Sequence, residues 1–183
     1  MNINKRVLFA FWRATDTKDN PYTYWFLPIK RICNDVIVFD AAKEYFKYGK
    51  EIMQDTLLDV INKEKPDYIF FQLIYDEFDP EFFRKIREKS PQTLLINLFN
   101  DDSWRFEDYT RHFSPYFDYV IASACCGKLV EKYIAEEIDQ FYVVLGVDCK
   151  AFRPLNIEKK YDVGFVGRPT KQRAEYLIYL KEQ

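Results

Sequence analysis

The feature that most constrains this chain is the regular alternation of short apolar runs with stretches of helical periodicity. Continuous apolar runs are typical of strands that are buried on both faces of a parallel sheet. Helices between successive strands supply the crossovers that parallel strands need. We therefore predict a doubly wound, Rossmann-like α/β domain. Its strands are expected at 6–11, 35–39, 67–73, 93–98, 118–122 and 140–145, and its helices at 23–32, 50–63, 80–89 and 127–137.

Charge and hydropathy argue against two classes of partner. The 183 residues carry 27 basic and 29 acidic side chains, a net charge of −2, with the basic residues spread along the chain. A duplex DNA-binding module usually shows a basic face, so no nucleic acid is expected as a partner. The apolar run after Lys5 and Arg6 is too short to span a membrane, and no small-residue cleavage site follows it. We expect no integral membrane segment and a cytoplasmic location.

Cysteine, histidine and aromatic residues give little sign of a specialised site. The four cysteines (Cys33, Cys125, Cys126 and Cys149) lack metal-ligand spacing, and we interpret them as reduced thiols. His112 is the only histidine, which leaves no His-based metal site, and no metal is expected. The 19% aromatic content fits either core filling or stacking on sugars or bases, and core filling is the favoured explanation.

The stretch 97–106 (NLFNDDSWRF) is the first place where chemistry is expected. It follows the fourth predicted strand and brings Asp101, Asp102, Trp104 and Arg105 together within five residues. Ligands of open parallel sheets bind outside the carboxyl ends of the strands. The sequence therefore predicts a functional site at this edge of the sheet.

The loop after the first strand, 12–16, ends at the same edge of the sheet. It contains Arg13 and lacks a G-x-G-x-x-G motif, so a dinucleotide site of the usual Rossmann type is not expected. We expect Arg13 to help shape a ligand pocket. The neighbouring stretch 21–25 (PYTYW) is either a lid or ordinary helix packing.

The sequence pattern changes after the sixth predicted strand. A polar linker leads to YDVGFVGR at 161–168, which reads as a strand running into a glycine turn, and 173–180 is again amphipathic. We interpret residues 1–155 as one domain, and 156–183 as the linker and opening strand–helix unit of a second.

Three linked segments carry a resemblance to a known family. NDDSWRF, LGVDCKAFRP and YDVGFVGRPTKQR, in this order, resemble the two-domain GT-B glycosyltransferases, above all the spore-maturation-protein-like, glycosyltransferase family 1-like branch. In that branch an acidic-Trp-Arg segment follows the fourth strand. A G-x-D-x-x-x-F-x-P segment closes the first domain, and a YDVxFVG strand opens the second. The matching residues are Gly146, Asp148, Phe152 and Pro154, then 161–167; the first half of the chain matches by element order alone.

The resemblance implies transfer of a sugar from a nucleotide-diphosphate donor to a glycan or other acceptor, as in polysaccharide biosynthesis. No cofactor beyond that co-substrate, and no metal, is implied. The first domain would hold the acceptor and the catalytic base, and most of the donor domain is expected to lie beyond Gln183. The alternative is a non-catalytic α/β ligand-binding or interaction module derived from such an enzyme.

Sugar transfer with inversion needs a base, and Asp101 and Asp102 are its candidates. Two neighbouring carboxylates raise each other's proton affinity, and in an extended stretch only one of them would face the cleft. The alternative is that one caps the helix beginning near Trp104 while the other is solvated, and this is the favoured interpretation.

Acceptor binding is expected from Trp104, Arg105, Arg13 and His112. Arg105 would bind an acceptor carboxylate or phosphate, or else pair with Asp102. Trp104 is either a platform for a sugar ring or a packing residue, and packing is favoured. For His112 a surface or capping role is favoured.

Donor binding is expected after the 161–166 strand. Gly167 and Arg168 match the family's diphosphate loop at a helix N-terminus, and Arg173 is a weaker candidate in that helix. Without the resemblance, Gly167 would be interpreted as a simple turn. The 161–166 strand also needs a partner, which is either the first sheet or a second copy of the chain.

Overall fold

The computed structural model describes residues 3–16, 22–100, 102–122, 127–138, 141–143, 149, 152–168 and 170–182. The chain forms two compact units, 1–149 and 150–183. The first contains a parallel sheet of six strands: β1 (Ile3–Phe11), β2 (Cys33–Asp40), β3 (Tyr68–Gln72), β4 (Leu94–Phe99), β5 (Tyr119–Ala122) and β6 (Phe141–Val143). The predicted Rossmann-like α/β class is confirmed.

Helices connect these strands. They are α1 (Leu27–Ile32), α2 (Ala41–Tyr48), α3 (Lys50–Glu64), α4 (Pro80–Lys89), α5 (Asp102–Arg105), α6 (Arg111–Phe113) and α7 (Gly127–Ala135). Two π-helical turns, Tyr22–Phe26 and Phe106–Thr110, and one 3₁₀ turn, Ser114–Tyr116, complete the described connections. The Phe106–Thr110 turn directly follows α5, and π-helical turns are frequent at functional sites.

The strand order is β2-β1-β3-β4-β5-β6, with every neighbouring pair parallel. The chain leaves β1 for one edge of the sheet and returns to place β3 on the other side of β1. The sheet therefore has its topological switch point between β1 and β3, where open α/β sheets bind ligands. The loops 12–16 and 73–79 flank this point.

The core has two parts, one on each face of the sheet. On one face, Leu8, Ile69, Phe71 and their neighbours pack against apolar side chains of α3, α4 and α7 and the Phe106–Thr110 turn. On the other, Phe9 and Phe11 of β1 pack against Phe26 and Ile29. Aromatic side chains fill much of both parts, as expected from the composition.

The helix α2 was missed by the sequence analysis. Asp40 begins it, since its Oδ1 accepts a hydrogen bond from the Lys43 backbone N–H at 3.1 Å. Gly49 ends it with a φ of 86°, a left-handed value that favours glycine. The cap residues were thus readable from the sequence. Asp40 also accepts hydrogen bonds from the N–H and hydroxyl of Thr15, which ties the loop after β1 to the end of β2.

The second unit differs from its prediction. Residues 161–166 form no strand, and 171–181 form a helix, α8 (Lys171–Lys181), that starts before the expected 173. A strand needs a neighbour for its backbone hydrogen bonds, and the described part of this unit contains no second strand. Every described residue of the unit is exposed, so it has no core of its own.

We expect Phe83 to be essential for the stability of the first unit. Its side chain is fully buried, with the rings of Phe71, Tyr116 and Phe117 at 5.5, 5.8 and 5.0 Å from its own. Phe83→Ala should lower the free energy of unfolding by about 3–5 kcal/mol, as for other buried aromatics. Urea denaturation measures this. Phe46→Ala, which removes a ring that is 72% exposed, should cost about 1 kcal/mol or less; equal losses in the two variants would contradict the described core.

Candidate functional site

The candidate site lies at the carboxyl ends of β3 and β4, next to the switch point. It consists of the loop 73–79 after β3 and the segment 102–110 after β4. The structure places Asp102, Trp104 and Arg105 on α5. Asp101 lies outside the described residues.

Asp102 is fully buried. Its Oδ2 accepts a hydrogen bond from the hydroxyl of Tyr133 on α7 at 2.9 Å. Burial, followed by the nearby Asp102 carboxylate, raises the pKa of the Tyr133 phenol, so the phenol stays the donor. The Tyr133 ring also packs edge-on against Phe106, with ring centroids 5.0 Å apart. In this arrangement Asp102 anchors the start of α5 to α7 and does not face solvent.

Trp104 is 71% exposed, so the favoured interpretation of it as a packing residue is wrong. An exposed indole beside a buried carboxylate follows from the short helix α5, in which neighbouring side chains project in different directions. The ring is therefore accessible to solvent at the carboxyl edge of the sheet.

Arg105 binds the neighbouring loop. One guanidinium nitrogen donates a hydrogen bond to the backbone carbonyl of Ile74, and Cζ lies 4.2 Å from the centre of the Tyr109 ring and 5.8 Å from that of Trp104. The structure thus adds a third role to the two expected for Arg105. The guanidinium connects α5 to the 73–79 loop through the Ile74 carbonyl, and it packs on the rings of Trp104 and Tyr109 from its own segment.

Glu77 is central to that loop, and the sequence analysis missed it. Its carboxylate is buried and accepts hydrogen bonds from the backbone N–H groups of Ile74 and Tyr75 at 2.9–3.3 Å. Burial raises the pKa of Glu77, although these N–H groups act in the opposite direction. The available signal was the run Tyr75-Asp76-Glu77 after a predicted strand.

Neighbouring elements hold the rest of the loop. The Leu73 N–H donates to Asn97 Oδ1 of β4 at 3.1 Å, and the Tyr109 hydroxyl donates to the carbonyl of Tyr75. Asp79 exchanges two hydrogen bonds with the side chain of Gln54 and lies 2.7 Å from Lys50 Nζ. Lys50 lowers the pKa of Asp79. The loop is therefore held at Leu73, Tyr75 and Asp79 by groups from β4, the Phe106–Thr110 turn and α3.

Two buried amide groups stand beside the switch point. Within the described part of the chain, Gln72 Oε1, at the last residue of β3, and Asn97 Nδ2, on β4, have no hydrogen-bond partner. A buried polar atom without a partner is costly in a stable protein and calls for an explanation. Their positions at the carboxyl ends of adjacent strands mark the same edge of the sheet as the loop does.

The other predicted acceptor residues are exposed. Arg13 follows β1 with a φ of 56°, and its neighbour Trp12 packs against the rings of Tyr45 and Phe46. His112 lies exposed on α6, on the path back toward β5. The residues that the structure connects to the loop are therefore Arg105 and, through it, Trp104.

The predicted donor residues come together within the second unit. Arg173 Nη1 donates to the carbonyl of Arg168 at 2.9 Å, and its Cζ lies 5.6 Å from the centre of the Phe165 ring. A Cβ on Gly167 would lie 2.9 Å from that ring, so glycine allows its close approach. Thr170, which the sequence analysis did not single out, caps α8 by accepting the Arg173 N–H at 3.3 Å.

The described residues offer neither a cluster of metal ligands nor a membrane-spanning helix. Over the described ranges, no three His, Cys, Asp or Glu side chains lie close enough together to hold a metal ion. Nor does any helix in the described part of the chain have the length and apolar character needed to cross a membrane. Cys33 is buried and Cys149 is exposed, while Cys125 and Cys126 lie outside the described residues.

Comparisons with known proteins give no relative: no family model, curated protein or solved structure matches the chain.

The loop should depend on the Glu77 carboxylate. Glu77→Ala leaves the N–H groups of Ile74 and Tyr75 without their acceptor and should lower the free energy of unfolding by about 1–3 kcal/mol. Faster amide hydrogen exchange at residues 73–79 should accompany the loss. Asp76→Ala is the control, since that side chain is 95% exposed; an equal effect of the two substitutions would contradict the anchoring role of Glu77.

The same residue should give stability a defined pH dependence. Its pKa is raised above the ordinary 4.5 in the folded state, so the folded protein binds the proton more tightly than the unfolded chain. Tighter proton binding by folded Glu77 adds to the free energy of unfolding. The full stabilisation is present below the unfolded-state pKa, and it is lost as the pH rises through the folded-state pKa. Carboxyl NMR should give a midpoint above 4.5 for Glu77, and Glu77→Gln should abolish this part of the pH dependence. A midpoint at or below 4.5 would refute it.

Proposed function

We propose that this chain is a glycosyltransferase, or the N-terminal part of one, which transfers a sugar from a nucleotide-diphosphate donor to a glycan or other acceptor. The observation that carries the proposal is the exposed Trp104, held beside Arg105 at the carboxyl edge of a parallel sheet. Acceptor sugars need an aromatic surface and polar groups at an open edge of the first domain. The order of the three sequence segments adds support.

The base in this proposal is Asp101. Asp102 is buried on Tyr133, where an acceptor hydroxyl has no access. Of the two candidate carboxylates, this leaves Asp101, which is adjacent in sequence, to remove the proton during transfer. Asp102 then acts as a positioning residue, because it anchors the helix that carries Trp104 and Arg105.

Arg168, Gly167 and Arg173 are the proposed contacts to the donor diphosphate. A guanidinium beside a capped helix N-terminus favours an anion through both its charge and the backbone N–H groups. Such groups stabilise the leaving diphosphate during transfer.

The burial of Asp102 also favours a second function. If Asp101 is not a base, the same edge would still bind a ligand, and the protein would be a non-catalytic module. Ligand binding without turnover distinguishes this function from the first.

The protein expressed from its complete reading frame tests the proposal. Incubation with UDP- and GDP-sugars and a glycan panel should give transfer, followed as released nucleoside diphosphate. Asp101→Asn should lower kcat by about 10²–10⁴-fold, the usual contribution of a general base. Asp108→Asn, which alters an exposed carboxylate nearby, should leave kcat unchanged. Full activity of Asp101→Asn would remove it as the base, and absence of both transfer and donor hydrolysis would refute the enzyme.

A further inference from the structure

The structure joins two segments that each carry an exposed aromatic side chain, an arrangement that the sequence did not reveal. Tyr75 is 66% exposed and lies on the loop after β3, and Trp104 is 71% exposed and lies on α5; both segments are at the carboxyl edge of the sheet. Arg105 and Tyr109 link them: Tyr109 donates to the carbonyl of Tyr75, and Arg105 lies over the rings of Tyr109 and Trp104. We call Tyr75, Asp76 and Trp104 the aromatic rim.

The backbone of the rim is unusually well fixed for an exposed loop. The N–H of Tyr75 is held by Glu77, and its carbonyl accepts from Tyr109. The preceding residue, Ile74, is held in the same way by Glu77 and Arg105. Neither side chain of Tyr75 or Asp76 is needed for these contacts. A site that is fixed before its ligand arrives loses less entropy on binding.

The charges at the rim select the chemistry of the ligand. The Asp76 carboxylate is 95% exposed, with Lys50 Nζ at 4.0 Å, whereas the same ammonium lies 2.7 Å from Asp79. The guanidinium of Arg105 is already bound to a carbonyl and to aromatic rings. An anionic ligand would therefore meet an exposed carboxylate and an engaged cation, which disfavours it.

A neutral saccharide fits these groups. Its C–H face packs against an aromatic ring, and its hydroxyls donate hydrogen bonds to a carboxylate. Two exposed rings, one of them adjacent in sequence to an exposed carboxylate, offer both contacts. A flat apolar partner would use the rings but leave the carboxylate without a hydrogen bond.

We propose that the aromatic rim is the acceptor subsite, in which Tyr75 and Trp104 pack against sugar rings and Asp76 accepts hydrogen bonds from sugar hydroxyls. The inference rests on the proposed sugar transfer for the identity of the ligand, but binding to the rim does not require turnover. Arg105, Tyr109 and Glu77 are positioning residues, because they hold the loop rather than the sugar.

Isothermal titration calorimetry of the full chain with cellotetraose, maltotetraose and chitotetraose tests the rim directly. At least one of these oligosaccharides should bind. Tyr75→Ala and Trp104→Ala should each weaken that binding about three- to tenfold, the range expected for loss of one aromatic contact. Tyr75→Phe keeps the ring and should bind as the wild type does. Asp76→Asn should weaken binding while leaving the fold unchanged by circular dichroism.

The matched control is Tyr176→Ala, which removes a tyrosine of similar exposure, 62%, from α8 in the second unit. Its oligosaccharide affinity should equal that of the wild type. The proposal that the aromatic rim binds sugar would be overturned if none of the three oligosaccharides bound at millimolar concentration. Equal losses of affinity in Tyr75→Ala and Tyr176→Ala would overturn it as well. If the protein binds an oligosaccharide at the rim but neither transfers sugar nor hydrolyses donors, the proposed enzymatic activity is refuted. The proposal that the rim binds sugar then still holds.

Discussion

The burial of the Glu77 carboxylate beneath its own loop is the constraint on which the candidate site depends. A buried carboxylate is unfavourable unless it accepts hydrogen bonds, and here the N–H groups of Ile74 and Tyr75 provide them. The two carbonyls of the same residues then point to Arg105 and Tyr109. One acidic side chain thus orients the loop so that the segment after β4 binds it. The exposure of Tyr75 follows from that orientation.

A second buried carboxylate fixes the other side of the site. Asp102 binds Tyr133 of α7, and α7 belongs to the same core as α3 and α4. The segment after β4 is therefore attached at one end to the core and, through Arg105, to the loop after β3. Trp104 lies between these two attachments and remains exposed. Trp104 is therefore exposed because the contacts on either side fix the segment that carries it.

The strand and helix pattern was predictable because each element buries a continuous apolar run, as at β4 and α4. The position of the site was predictable for the same reason, since strand order places residues 97–106 at the carboxyl edge. The orientation of individual side chains was not. Asp102 is buried by its contact with Tyr133, and Arg105 beside Trp104 is held by Ile74; both partners are 31 residues away in sequence and leave no local signal. The predicted strand at 161–166 was wrong, because an apolar run forms a strand only where a neighbouring strand supplies its backbone hydrogen bonds.

Acidic residues with a shifted pKa are often used to locate active sites. In this chain the hydrogen bonds of such residues must be considered as well. Glu77 combines deep burial with a raised pKa, yet its oxygens are occupied by backbone N–H groups. Asp102 is buried with a tyrosine partner that holds a helix in place. Both carboxylates therefore stabilise the structure: Glu77 holds the loop after β3, and Asp102 holds α5. In the proposed site, a ligand would meet Trp104, Tyr75 and Asp76 first, so recognition would belong to exposed groups whose positions the buried acids determine.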